Sequence, residues 1–136
     1  MRVIYFIALY IIVTAGCKKS TTSLLPLENS GLIYSHWELR IISGSIAGVT
    51  TYAPGNGIIR TFRSDSFFAY TNQGDTISKG NFTIYNIAGT PKWLLKLNYI
   101  NQQFDMDTVE FGNNTITFLS SASCCDIPSI TYEAIP

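Results

Sequence analysis

From Trp37 onward, apolar and polar residues alternate in short runs. Trp37, Leu39 and Ile41 stand against Glu38 and Arg40, and Phe82 and Ile84 flank Thr83. Trp93, Leu95, Leu97 and Tyr99 oppose Lys92, Lys96 and Asn98, with Leu94 the exception, and Ile116 and Phe118 alternate with Thr115 and Thr117. A period of two buries one face and wets the other, so the pattern predicts strands. They are expected over His36–Ser43, Ile46–Tyr52, Ile58–Phe62, Ser66–Thr71, Thr76–Ile87, Lys92–Ile100, Phe104–Phe111, Thr115–Ser120 and Ser129–Ile135. Between them lie groups such as Gly55-Asn56-Gly57, Asn72-Gln73-Gly74-Asp75 and Gly112-Asn113-Asn114. Asn, Asp and Gly tolerate positive φ and close tight hairpins. Connections this short make neighbouring strands antiparallel and leave no room for a crossover helix. The expected fold is all-β: an antiparallel up-and-down meander of 8–9 strands that must close or pair to protect its edges.

One strand breaks the pattern. Phe104 and Met106 fall on one parity, Val109 and Phe111 on the other, which predicts a bulge near Asp107-Thr108 or burial on both sides. Asp105 and Asp107 share a face, with Glu110 close by. Three carboxylates could hold a hard cation or act as an acid/base pair. With Phe104 and Met106 assigned to the core, however, the aspartates read as a solvated outer face. His36 is the single histidine, so a histidine metal cluster is excluded, and it reads as a hydrogen-bonded edge residue. Gly55-Asn56-Gly57 opens no helix, which removes a phosphate-loop reading.

The N-terminus is of another kind. Arg2 precedes an unbroken apolar run, Val3 to Val13, and then Thr14-Ala15-Gly16-Cys17. The run is shorter than the roughly 20 residues a transmembrane helix needs and has the size of a signal-peptide core. The segment TAGC resembles a bacterial lipobox, with Thr14 where that motif usually has Leu. The resemblance implies a diacylglycerol on the Cys17 thiol and cleavage just before it; the alternative is an ordinary secretory signal followed by a chance cysteine. Residues 1–16 are thus expected to be a lipoprotein signal peptide and 17–33 a lipidated cysteine with a flexible tether, leaving 34–136 as the β domain. Pro26 argues against a helix in the tether, and Leu24, Leu25 and Leu27 read as cover for a barrel end or sheet edge, or as a loose lead-in.

Composition narrows the partners. Without Arg2 the chain carries eight Lys/Arg and nine Asp/Glu, a net charge of −1, and lacks the basic field that nucleic-acid binding requires. The charged fraction of 13% is about half the usual value, and β-branched and aromatic residues take its place.

The order Trp37-Glu38-Leu39, a hairpin series, Lys79-Gly80-Asn81-Phe82-Thr83-Ile84, Leu95-Lys96-Leu97 and Asn114-Thr115-Ile116-Thr117-Phe118 resembles the lipocalin-like lipoproteins of Bacteroidota. The resemblance spans residues 34–133. It implies a lipocalin-like barrel or half-barrel on a lipid tether, although the long lid loop of a true lipocalin is not evident. Acidic residues soon after the cysteine resemble a surface-export signal in such lipoproteins. Lys18-Lys19-Ser20 lacks them, so the expected location is the cell envelope, on the periplasmic face of the outer membrane. Cys124-Cys125 reads as a vicinal disulfide or as two buried thiols, and the similar Cys-Cys-Asp endings of the family imply a structural role near the barrel end.

Two functions follow. The barrel could hold a small apolar ligand in a cavity walled by Trp37, Phe82, Trp93, Leu95, Tyr99 and Phe118. Alternatively, those side chains fill the core and an outer face meets a protein partner. The inward positions, rich in Phe, Tyr, Leu and Ile, lean towards a filled core. No nucleophile, base and orienter can be assembled from neighbouring positions, so no enzyme, cofactor or metal is expected.

Overall fold

A computed structural model describes residues 24–26, 31–45, 48–119 and 128–136. The leader, Cys17, most of the tether and Cys124-Cys125 lie outside these residues. The described elements are β1 (Leu24–Pro26), β2 (Ser35–Ser45), β3 (Gly48–Thr51), β4 (Ile58–Phe62), β5 (Phe67–Asn72), β6 (Asp75–Ile87), β7 (Lys92–Tyr99), β8 (Phe104–Phe111), β9 (Thr115–Leu119) and β10 (Ser129–Ile135). From β4 to β10 each strand pairs antiparallel with the next, and both β4 and β10 pair with β2. Eight strands therefore close a lipocalin-like up-and-down barrel, which abolishes its open edges.

The two remaining strands ride on the wall. β3 pairs with the far half of β2, on the edge whose near half pairs with β4. β1 runs beside residues 85–87 of β6, so this part of the tether covers a sheet edge. Turn chemistry accounts for the hairpins: Gln73 (φ 50°) and Gly74 (φ 92°) make a two-residue turn between the paired Asn72 and Asp75. Gly80, where β6 begins to pair with β7, has no room for a Cβ, which would collide with the Asn98 carbonyl.

The core gathers Trp37, Leu39, Phe62, Phe68, Phe82, Ile84, Leu95, Leu97, Val109, Ile116, Phe118 and Tyr132. One end is shut. There Ile33 is fully buried and its carbonyl accepts a 2.9 Å hydrogen bond from the Trp37 indole. The opposite end is framed, among the described residues, by residues 52–57, the Gln73-Gly74 turn and the 100–103 turn, and the depressions described below lie there.

Two sequence expectations fail on β8. No bulge interrupts the ladder at Asp107-Thr108: the pairing runs evenly from Lys92↔Glu110 to Asn98↔Phe104. Nor do the aspartates face outward. Leu95 pairs with Asp107 and Leu97 with Asp105, so both carboxylates share the inner face with Val109. Phe104 (60% exposed) and Met106 (50%) lie outside, with the Lys96 ammonium 5.2 Å from the Phe104 ring. The cause is register. The inward alternation of β7 and the anchor at Val109 and Phe111 fix the hairpin, and the mouth tolerates inward charge where a closed core would not.

Candidate functional site

The open half of the barrel holds polar groups where the closed half holds hydrocarbon. Trp37, Arg60, Tyr70 and Ser78 lie opposite one another across four successive strands, so all four face inward. Arg60 occupies the inward position between Ile58 and Phe62 and crosses the interior. Its guanidinium carbon lies 4.2 Å from the Phe118 ring centroid, 5.2 Å from that of Tyr132 and 5.7 Å from that of Tyr70. Such contacts stabilise a cation by about 0.5–2 kcal/mol each. Two of its nitrogens, Nε and Nη1, are withdrawn from solvent and have no hydrogen-bond partner among the described residues. Among the described residues no carboxylate comes within ion-pair distance of Arg60.

Beside the guanidinium is a largely enclosed cavity of about 70 Å³, bounded by Arg60, Phe68, Tyr70, Ser78, Leu97 and Tyr99. Ser78 and Tyr99 also border two depressions at the mouth. One, of about 370 Å³, lies along Thr76–Lys79 and Tyr99–Asn101 and includes Ile77 and Ile100; the other, of about 600 Å³, lies inside the 101–105 turn. These two side chains separate the cavity from the outside.

The electrostatics of the rim follow from its burial. The Tyr99 hydroxyl donates a 2.8 Å hydrogen bond to Asp105, and burial together with that carboxylate pushes its pKa up to about 12. Burial also raises Asp107, with the Asp105 charge acting in the same direction and Arg60 opposing it. Burial raises Tyr132, again against the Arg60 charge. Glu110, grouped with the aspartates in the sequence, is on the outer face, where Lys92 approaches it at 3.9 Å. The three acids therefore form no common site.

Of the residues proposed to wall a cavity, Trp37, Phe82, Leu95 and Phe118 are buried, and Trp93 and Tyr99 pack half-buried against them. Only Tyr99 borders the cavity. Phe82 meets Phe62 edge-on at 5.1 Å, Trp93 meets Phe111 at 6.2 Å, and Phe118 supports Arg60. Arg60 escaped the sequence reading, yet its signal was present: Ile58-Arg60-Phe62 share one parity. His36 bonds through Nδ1 to the Thr61 hydroxyl at 2.9 Å. Its strand lies inside the sheet, between β4 and β10.

A fully buried charge elsewhere in the barrel has the opposite surroundings. Glu38, 3% exposed, lies on the outer face of β2 beneath residues 52–57. It accepts hydrogen bonds from Arg40 Nη1 (2.6 Å), the Gly55 amide (3.0 Å) and the Gly57 amide (3.1 Å). Burial alone would raise its pKa, but these donors outweigh burial and hold it below the usual carboxylate range. Arg40 also reaches Glu133 at 2.8 Å.

Comparison with protein-family models, curated proteins and solved structures gave no match to this chain.

Proposed function

We propose that this chain is an envelope lipoprotein, held by lipid on Cys17, whose barrel is a non-enzymatic binding module for a small ligand taken in at the open end. The observation that carries this reading is the unpartnered Arg60 guanidinium beside a cavity at that end. A half-buried cation with two idle, water-excluded N–H donors is costly to a fold, and an interior serving stability alone would be better filled by an apolar side chain. An eight-stranded barrel is wide enough to be filled by side chains or to hold one small ligand. Here the closed half is filled, so a ligand occupies only the upper half and the mouth.

The runner-up is a structural lipoprotein with a filled core that meets a protein partner on its outer face. Ile77, Ile100, Phe104 and Met106, all at least half exposed around the mouth, favour it. Amide NMR spectra of the full chain in detergent, titrated with octanol and with octanoate, separate the two. Shifts at Ser78, Leu97 and Tyr99 with either compound support a binding module. Spectra unmoved by both return the barrel to the structural reading. For the tether, intact mass beside a Cys17→Ala version is decisive, because only the lipidated chain carries the acyl mass.

A further inference from the structure

We infer that the ligand of this barrel is a small carboxylate with an apolar tail, whose anionic group is held by the Arg60 guanidinium and whose tail leaves past Ser78 and Tyr99. This inference rests on the binding-module reading and names its ligand class. Nε and Nη1 are buried, without a partner, and beside a cavity of about 70 Å³. Liquid water takes about 30 Å³ per molecule, so the space suits two waters or one carboxylate group. A carboxylate is the acceptor that such a cation holds most strongly, through a charge-assisted hydrogen bond from the Nε–H or from Nη1. The aromatic rings of Phe118, Tyr132 and Tyr70 fix the guanidinium in place. The tail then lies in the depression along Ile77, Tyr99 and Ile100.

The two inward aspartates bear directly on this assignment, since with both ionised the interior would repel an anion. Asp105 is engaged by the Tyr99 hydroxyl. Asp107, on the inner face of β8, is half-buried and already shifted towards its neutral form. The charged and titratable groups acting on it are Arg60 of β4, Asp105 of its own strand, Tyr99 of β7 and Tyr132 of β10. An anion on Arg60 cancels the one favourable charge in that set. Binding is therefore accompanied by proton uptake at Asp107 and tightens as pH falls.

The test compares octanoate with octanol, equal in chain length and different in charge, on the full chain in detergent. Octanoate should bind at least about tenfold more tightly, as expected for charge-assisted hydrogen bonds. It should displace the Arg60 Nε–H resonance where octanol leaves it unmoved. Arg60→Met should bring octanoate down to the level of octanol, and Asp107→Asn should tighten octanoate several-fold and remove its pH dependence. Equal affinities with an unmoved Nε–H signal would overturn the carboxylate assignment and leave the binding module standing. If neither compound binds, the module and the assignment fall together. Should Arg60→Met not fold, the Nε–H signal of the unaltered chain decides.

Discussion

Glu38, fully buried, and Arg60, half-buried with Nε and Nη1 withdrawn from water, lie on two strands that pair directly, one residue pair apart. Glu38 faces outward under a loop and receives three hydrogen bonds; Arg60 faces inward and has aromatic rings but no acceptor for Nε or Nη1. Glu38 is a structural charge. Its carboxylate supplies the acceptors that the Gly55 and Gly57 amides need when residues 52–57 fold over β2, with Asn56 adding bonds to the Leu39 and Ala53 carbonyls. Arg60 lies against three aromatic rings, but the fold supplies no acceptor, among the described residues, for its Nε and Nη1. Burial alone thus does not mark a functional charge; unmet hydrogen-bonding capacity beside open space does.

The contrast can be broken by substitution. Glu38→Ala should cost most, about 3 kcal/mol, because it strands two loop amides and leaves Arg40 with Glu133 alone. The denaturant midpoint would measure this, and a loss under about 1 kcal/mol would remove Glu38 from its structural role. Arg60→Met should act in the opposite direction and raise stability by about 1 kcal/mol, since an apolar side chain of similar volume replaces an unpaired charge. A large loss would show that the cation stabilises the barrel.

Asp107→Asn should give a smaller gain at neutral pH, read as a modest rise in denaturant midpoint. The folded pKa of Asp107 is raised, so its ionised form opposes folding above that pKa. The gain should vanish as pH falls towards the ordinary aspartate value near about 3.9. The smallest effect concerns Glu38→Gln in acid. A lowered folded pKa means that the Glu38 contribution is complete above about pH 4.3 and is lost as pH falls through the folded value. The gap in denaturant midpoint between the Glu38→Gln variant and the wild type should therefore narrow below about pH 4.

Most of the fold was legible in the alternation. Strands β4 to β10 begin and end within a residue or two of their expected bounds, because turn residues punctuate them and hairpin pairing is local. The boundary near Gly44 was less so: β2 runs on to Ser45, and Gly44 at φ 92° bends the strand without ending it. The site was harder to read. Asp105 and Asp107 were assigned outward because Phe104 and Met106 are the more hydrophobic pair, yet the register of β7 outweighs local hydrophobicity. Arg60 was hidden for a different reason. A long cation beside apolar residues reads as an outward side chain, and only the parity it shares with Ile58 and Phe62 reveals its direction.

The position of the chain ends adds an orientation. β2 starts at the shut end, β10 finishes there with Ile135 opposite His36, and β1 meets β6 at Ile87, on the same side. Leu24, opposite Ile87, thus lies at the base of the barrel, as the foot of a cup does. The rim formed by the Gln73-Gly74 turn and the 100–103 turn is the other end of the barrel from Leu24, so the chain reaches the rim only after β2 has run the length of the wall.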